Sequence, residues 1–327
     1  MKKQLIAKSA KIRKSKLESE YIEIGPRVNI SGAYIKAKKI IIKSDAILTN
    51  CKIISDGPVI IGKNSTIKEN AVINAFRGIS IGDHTLIDRF VVIGGMQSEQ
   101  SEFKIGDNCV ILHQSYLNNT RKITIGNNVG VGGYCLIFTH SSWQNVLDGY
   151  PYKFADVLIH DNVWLPWNVT VFPGVSIGKN SIIGGGSTVT KTIPAGVFAA
   201  GIPAKIIRKK SNSELSYSKK NSITLEIIKS FGEYSRGFLK LSNSIRVDSK
   251  MCTLNFKKEK FVYTLDFKKI KHGDLVISFR IPDKIKKSHE WIELESLSSD
   301  ISGNIGKQFL LFVKRYGIKI KNKTQNE

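Results

Sequence analysis

Residues 159–195 read IHDNVWLPWNVTVFPGVSIGKNSIIGGGSTVTKTIPA, and this stretch carries a regular six-residue repeat. An apolar or small residue recurs in phase at Ile159, Leu165, Val171, Ile177, Ile183, Val189 and Ala195. A period of six fits neither an amphipathic helix nor a long strand, whose side-chain periods are about 3.6 and 2. It indicates a short strand and a corner, repeated, so that three repeats form one triangular coil with stacked aliphatic side chains inside.

The same step appears earlier in the chain, displaced in phase by short insertions. The earlier triplets are Ile61, Ile67 and Ile73; Ile81, Ile87 and Ile93; Ile105, Ile111 and Leu117; and Ile125, Val131 and Ile137, with weaker traces from Ile24. Gly, Asn and Asp often follow the aliphatic residue, where tight corners favour them. We therefore predict a mainly β domain over residues 1–210, built as a parallel β-helix with the cross-section of a triangular prism.

The longest break in the repeat is residues 143–158, between the triplet that starts at Ile125 and the one that starts at Ile159. An insertion of this length in an otherwise strict solenoid is usually functional. It begins with Trp143, contains the run Tyr150-Pro151-Tyr152, and closely follows His140. We therefore expect the functional site to lie beside this loop.

Composition limits the other classes of function. The net charge is +23, from 50 Lys and Arg against 27 Asp and Glu, which fits nucleic acid, an anionic membrane surface, a polyanionic substrate, or simply a solvated lysine-rich surface. No nucleic-acid-binding motif accompanies the charge, so we predict no nucleic-acid partner. The sequence shows no run of 18 apolar residues, no secretory signal and no CxxC pair, which favours a reduced, cytoplasmic setting.

The repeat ends after Arg208, and the remaining sequence has a different character. Residues 211–222 are polar and predict a linker, and residues 223–327 predict a small α+β domain. Its helices are expected from Leu225 to Leu241 and from Ile305 to Tyr316, with short strands between them. The sequence leaves three contacts open for this domain: a polymeric acceptor, a partner enzyme or a neighbouring subunit.

Three linked signatures, at residues 159–178, 183–191 and 200–208, resemble those of the hexapeptide-repeat acetyltransferases. These include the galactoside and maltose O-acetyltransferases, serine acetyltransferase, and the capsule or O-antigen acetyltransferases. Over about 105–210 the resemblance includes specific residues as well as the repeat, whereas over 24–104 it is limited to the repeat architecture. It implies a left-handed β-helix, a homotrimer with active sites between subunits, and His140 as the catalytic base.

The resemblance also implies that acetyl-CoA lies in the groove between neighbouring subunits. Matching positions for its contacts are Trp164, Trp167, Gly185, Thr190, Lys191, Lys205 and Arg208. The chain departs from the family where Pro166-Trp167 replaces small residues and Gly185 replaces alanine. The acceptor-side asparagine of the galactoside enzymes has no clean match, and His113 or Gln114 falls nearest.

For the acceptor side we predict His113, Gln114, Trp143 and Tyr152. The loop aromatics either stack on a sugar ring or cap the open edge of the prism. The favoured function is O-acetylation of a surface polysaccharide, capsule or O-antigen, or of its lipid-linked precursor, with peripheral contact to a membrane-linked glycan. The alternative is N-acetylation of a nucleotide-linked amino sugar.

A metal-dependent β-helix protein, similar to a carbonic anhydrase, is a further class of function to weigh. It would need about three histidines that converge on zinc. His84, His113 and His140 are spaced 29 and 27 residues apart, without the close pair of ligands found in zinc-binding members of this fold. We therefore predict no metal site.

Overall fold

The computed structural model describes residues 3–96, 98–247, 251–257 and 260–323. The chain divides into two compact units, Met1–Ser213 and Glu214–Glu327. The described part of the first unit is built mainly of three long, mostly parallel sheets, and we name them sheets A, B and C in the order in which each coil visits them. None of the described helices is both long and apolar enough to cross a membrane.

The strands of each sheet follow one another at intervals of one coil. Sheet A contains Lys3–Ile6, Tyr21–Ile24, Lys39–Ile42, Pro58–Ile61, Gly78–Ile81, Glu102–Ile105, Ile123–Ile125, Val157–Ile159 and Ser176–Ile177. Sheet B contains Lys11–Arg13, Asn29–Ser31, Ile47–Thr49, Thr66–Ile67, Leu86–Ile87, Val110–Ile111, Gly130–Val131, Trp164–Leu165, Ile182–Ile183, Phe198–Gly201 and the antiparallel Ala204–Arg208. Sheet C contains Lys16–Glu18, Tyr34–Lys36, Lys52–Ser55, Val72–Ala75, Val92–Ile93, Tyr116–Asn118, Leu136–Phe138, Thr170–Val171 and Thr188–Val189.

This is the predicted left-handed parallel β-helix, and the repeat places its aliphatic residues as expected. Ile137 pairs with Val171, and Ile111 with Val131, each one coil apart and each fully buried. The coils begin earlier than the weak traces suggested, because Lys3–Ile6 already pairs with Tyr21–Ile24. Stacked columns of inward side chains, two of them in most of sheet A, therefore supply the core.

Ala195 is the one inward position of the quoted stretch that the structure contradicts. Its side chain is exposed, and Ile193 and Val197 are buried instead. Ile193 bridges to Ile177, sixteen residues away rather than eighteen, because the last coil has a shorter corner. The six-residue phase therefore ends at Val189.

The corners of the coils use a left-handed backbone, which explains the residues found there. Between sheets A and B this position is mostly asparagine, with φ between 55° and 60°, as at Asn64, Asn128 and Asn162. Asparagine tolerates this conformation better than other residues with a β-carbon. The asparagines at these corners therefore allow the backbone to turn from one sheet to the next.

All four cysteines are buried in the protein. Burial raises the pKa of Cys51 to about 12 and that of Cys135 to about 11. Since the thiolate is the reactive form, these two thiols are inert at neutral pH. They belong to the packing of the coils.

The long insertion forms an antiparallel hairpin at the corner between sheets C and A. His140–Ser141 pairs with Lys153–Phe154, and a short 3-10 turn at Val146–Asp148 forms its tip. Residues 157 and 158, predicted to lie in the loop, belong instead to the strand Val157–Ile159, because Val157 is buried and pairs with Ile123. The insertion therefore rejoins the prism two residues earlier than expected.

The described residues of the second unit form a seven-stranded mixed sheet and three helices, α1 (Tyr217–Gly237), α2 (Asp283–Lys286) and α3 (Asn304–Val313). Its strands, in spatial order, are Asn243–Val247, Met251–Phe256, Lys260–Thr264, Asp274–Ser278, Trp291–Glu293, Ser298–Asp300 and Lys321–Asn322. Short 3-10 turns lie at Phe267–Lys269 and Lys314–Tyr316. Side chains of α1, α3 and the sheet share one apolar core around Phe231.

The predicted linker 211–222 is too long. Helix α1 begins at Tyr217, where the side chain of Ser216 accepts a hydrogen bond from the backbone N–H of Lys219. A serine in this position caps a helix start. The polar residues of the first turns are exposed on the helix, so their composition alone resembled that of a linker.

We expect Leu165→Ala to lower the free energy of unfolding by about 2–5 kcal/mol, because it opens a cavity in the core of the prism. Leu165 is fully buried and stacks on Val131 of the preceding coil. The control is Leu158→Ala, which removes a side chain that is 36% exposed. Urea unfolding followed by circular dichroism measures both, and equal shifts of the two midpoints would contradict the stacked core.

Candidate active site

His140 lies at the corner between sheets C and A, at the base of the hairpin. Its Nδ1 lies 3.0 Å from Oδ1 of Asn118. Its ring stacks on Phe154 from the returning strand, with centroids 5.7 Å apart. The imidazole is only partly exposed. It is therefore held on two sides and remains open to a ligand.

A buried hydrogen-bond network fixes the partner of His140. Asn118 is 4% exposed, and its Oδ1 accepts hydrogen bonds from the backbone N–H (3.2 Å) and the hydroxyl (2.8 Å) of Thr120. Its Nδ2 donates to the hydroxyl of Tyr116 at 3.0 Å. Because a backbone N–H can only donate, the atom that it faces is the amide oxygen. Neutral His140 then carries its proton on Nδ1, and Nε2 keeps a free lone pair.

Asn118 is a site residue that the sequence reading missed. It follows the inward Leu117 and lies one coil below Phe138 in sheet C. Its residue type did not mark it, because asparagine is common at the corners of this repeat. Within one chain, the asparagine beside His140 is therefore Asn118, and neither His113 nor Gln114 contacts this corner.

His113 and Gln114 lie at the corner between sheets B and C, directly after Val110–Ile111. The Nδ1 of His113 is 3.5 Å from Oδ2 of Asp88, and its ring meets Trp167 edge-on at 5.1 Å. Burial raises the pKa of Asp88, but hydrogen bonds from the backbone of Arg89 and from Lys68 outweigh it, so the pKa lies below its usual value. Asp88 is thus a charged anchor beneath this corner.

The outer face of sheet B carries most of the expected acetyl-CoA contacts. The indole of Trp164 covers Gly130, where a β-carbon would come within 2.4 Å of the ring. Trp167 covers Gly133 in the same way at the following corner. Trp164 and Trp167 are 37% and 43% exposed. The two glycines therefore make room for a flat, half-exposed indole surface.

The same face continues from aromatic to basic groups. The sheet pairs Trp164 with Ile182, Ile182 with Phe198, and Phe198 with Arg208. The guanidinium of Arg208 lies 5.0 Å from the centre of the Phe198 ring. With strands about 4.8 Å apart, this row rises by roughly 14 Å from Trp164 to Arg208. Lys205 pairs with Ala200 on the same terminal hairpin, and Gly185 follows Ile183 at the next corner.

Thr190 and Lys191 lie elsewhere, at the corner that carries His140. They follow Val189, which is two coils above Ile137 in sheet C. This corner is the vertex opposite sheet B in the triangular cross-section. The packed core of the prism therefore lies between His140 and Trp164 of the same chain.

Comparison with known proteins identifies the family to which this chain belongs. Residues 58–88 and 157–191 match the family described as hexapeptide repeat of succinyl-transferase. A galactoside O-acetyltransferase from Lactococcus lactis subsp. lactis is 49% identical over 147 residues, which cover 38% of this chain and 71% of that protein. The chain belongs to the hexapeptide-repeat acetyltransferases.

Two further relatives of this hexapeptide-repeat chain differ in their identity to it and in the length that they match. The galactoside O-acetyltransferase of Escherichia coli K12 is 37% identical over 124 residues, which cover 35% of the chain and 61% of that enzyme. The E. coli K12 protein named "Putative lipopolysaccharide biosynthesis O-acetyl transferase WbbJ" is 28% identical over 211 residues, 61% of the chain and 98% of that protein. The chain thus spans about three fifths of the E. coli galactoside enzyme.

The aromatic residues of the hairpin in this acetyltransferase-family chain point away from its own core. Trp143 is 94% exposed and Tyr152 is 63% exposed. They do not cap an open edge of the prism in this chain, which was one of the two expectations. Their exposure leaves them available to a ligand beside His140.

The other histidines have separate surroundings. His84 occupies an exposed left-handed corner, and Nε2 of His160 lies 3.4 Å from the hydroxyl of Ser176. His272 and His289 face each other at 6.4 Å in the second unit. Among the described residues, no three His, Cys, Asp or Glu side chains converge as a metal ion would require.

Proposed function

We propose that this protein transfers an acetyl group from acetyl-CoA to a sugar hydroxyl of a surface polysaccharide, capsule or O-antigen, or of its precursor. The observation that carries the proposal is the contact of His140 Nδ1 with Asn118, which leaves Nε2 as a free base. The exposed aromatics of the adjoining hairpin offer a surface on which a sugar ring stacks. We further propose that it works in the cytoplasm, where acetyl-CoA is supplied.

The proposed chemistry starts from the weak acidity of a sugar hydroxyl. Nε2 of His140 accepts the hydroxyl proton while the oxygen forms its bond to the acetyl carbon, a contribution worth about 10²–10⁴-fold. When bound, acetyl-CoA supplies the acetyl group in activated form, as a thioester. His140 then returns the proton to the departing sulfur, so the imidazole ends neutral. Asn118 keeps Nδ1 protonated throughout and so keeps Nε2 facing the substrates.

The groups on sheet B fit the parts of acetyl-CoA in order. Trp164 and Trp167 offer apolar surface to an uncharged arm, and Gly185 leaves open space above the backbone, since a β-carbon there would meet nothing closer than 3.4 Å. Lys205 and Arg208, both exposed, suit the phosphates of the nucleotide. Thr190 and Lys191 would approach from the chain that supplies His140.

We propose a homotrimer in which each site is shared by two chains. The support is the triangular cross-section, which puts His140 opposite the Trp164 face of its own chain. A neighbouring prism that offers its sheet B to this corner would bring the two halves together. Closed cyclic symmetry repeats such a contact in every subunit.

The decisive experiment is acetyl-CoA-dependent release of free thiol, screened over purified capsule and O-antigen glycans and over nucleotide amino sugars. We expect release with polymeric glycan, and a loss of about 10²–10⁴-fold in His140→Ala, which keeps CoA binding. Release only with nucleotide amino sugars would replace O-acetylation by N-acetylation. Undiminished turnover of His140→Ala would remove the proposed mechanism.

We expect Asn118→Leu to lower kcat much more than Asn118→Asp does. Asp keeps an oxygen acceptor for Nδ1 of His140, whereas Leu removes the acceptor and leaves the imidazole free to change its tautomer and orientation. The KM for acetyl-CoA should change little in either variant. Equal losses of kcat in the two variants would show that Asn118 does not orient His140.

Co-expression of two defective chains tests the shared site. We expect His140→Ala to be inactive, and Lys205→Ala with Arg208→Ala to have a raised KM for acetyl-CoA. In random mixed trimers, about a quarter of the sites would combine two intact halves and regain normal turnover at low acetyl-CoA. Native mass spectrometry verifies mixing, and verified mixed trimers without recovery would mean that each site uses one chain.

A further inference from the structure

The second unit contains a pocket that the proposed transfer reaction does not use. It has a volume of about 530 Å³, within the range of about 300–1,000 Å³ that is typical of ligand sites. Its lining residues are Tyr217, Lys220, Leu265, Phe267, Ser278, Phe279, Arg280, Leu294 and Glu295. We call it the strand-end pocket. Each of its residues lies in the second unit.

The position of the strand-end pocket follows from the topology of the sheet. The strands Lys260–Thr264, Asp274–Ser278 and Trp291–Glu293 lie side by side and run parallel. The lining residues include those that directly follow each strand, so the pocket lies at their carboxyl ends. Crevices outside the carboxyl ends of parallel strands are the usual ligand sites of open sheets.

Helix α1 forms the other wall, and a specific contact fixes it there. The hydroxyl of Tyr263 donates to Oδ1 of Asn221 at 2.5 Å, which ties α1 to the strand Lys260–Thr264. Tyr217, in the first turn of α1, packs against Phe279 with ring centroids 5.1 Å apart and is 56% exposed. The pocket therefore presents an aromatic surface in a fixed position.

Polar groups surround this aromatic surface. Arg280 binds Glu295 through two N–H groups, Nη2 to Oε1 at 3.0 Å and Nε to the other oxygen, and both side chains are largely exposed. Arg280 keeps further N–H donors, and Glu295 keeps acceptor capacity. Ser278, which is 2% exposed, adds a hydroxyl to the lining of the pocket. The polar groups therefore include both donors and acceptors for a ligand.

The charges favour an acidic ligand. Lys220 and Arg280 outnumber Glu295 in the pocket. Residues 211–327 carry 23 Lys and Arg against 13 Asp and Glu, so the surroundings are positive as well. A flat aromatic surface beside paired donors and acceptors suits a sugar ring with its hydroxyl groups. Two ammonium or guanidinium groups suit a carboxylate on that ring.

We propose that the strand-end pocket binds an acidic saccharide unit of the glycan acceptor, which rests on the proposed function. Tyr217 stacks on the ring, and Lys220 and Arg280 bind its carboxylate. Ser278 and Glu295 bind hydroxyl groups. Because the second unit is covalently attached to the transferase unit, binding at the pocket raises the effective concentration of the rest of the polymer at the active site.

The test is direct binding of the full-length protein to an immobilised panel of purified acidic bacterial polysaccharides, before and after reduction of their carboxyl groups. We expect Tyr217→Ala and Arg280→Gln each to weaken binding by roughly tenfold or more. The matched controls are Phe238→Ala and Arg246→Gln, exposed residues of the same unit outside the pocket, which should bind normally. Carboxyl reduction should abolish the binding.

A second measurement separates this inference from the proposed transfer reaction. With an accepted glycan, the pocket variants should raise the KM for long chains and leave kcat and the KM for a single repeat unit unchanged. Unchanged binding and unchanged KM in both pocket variants, or wild-type binding to none of the acidic glycans, would overturn the inference. Pocket-dependent binding without acetyl transfer to any glycan would instead overturn the proposed function.

Discussion

The structure depends on one constraint: no coil of the prism can bury its own inward side chains. Each aliphatic residue gains its contacts from the equivalent residue one coil away, as Ile137 does from Val171. The interior is therefore continuous, and the strands of successive coils pair in parallel up to the terminal antiparallel hairpin. A site on this scaffold cannot lie inside it. It has to be assembled on faces and corners, whose spacing the repeat sets.

The triangular section then decides how a site can be built. His140 and its partner Asn118 occupy one vertex, and the Trp164 to Arg208 row occupies the opposite side. The apolar core lies between them. In the proposed homotrimer a second prism would bring the two groups together, so oligomer formation and assembly of the site would be the same event. The rigid spacing of the strands sets the distance between successive contacts.

Much of the fold could be read from the sequence, because the six-residue period reports the inward side chains directly. The six-residue period wrongly predicted that Ala195 points inward. A shorter corner changes the spacing there, and no particular residue type marks that corner in the sequence. His140 was visible from the loop that follows it, whereas Asn118 was not, since a buried asparagine in a repeat rich in asparagine has no distinctive context. The second unit shows the same limit. Ser216 ends the linker with a single hydrogen bond, which composition does not reveal.

The hairpin between His140 and Phe154 separates the residues that stabilise the core from those that are exposed to a ligand. Its tip, from Trp143 to Tyr152, contributes no buried side chain. After the hairpin, Val157 pairs with Ile123 of the preceding coil, so sheet A continues in its regular register. Residues at the tip are thus free to vary in number and kind at almost no cost to folding. With the tip as the proposed acceptor surface, selection for a new acceptor and selection for a stable core act on different residues. A lineage of such proteins can therefore diversify its chemistry of recognition on an inherited, unaltered frame.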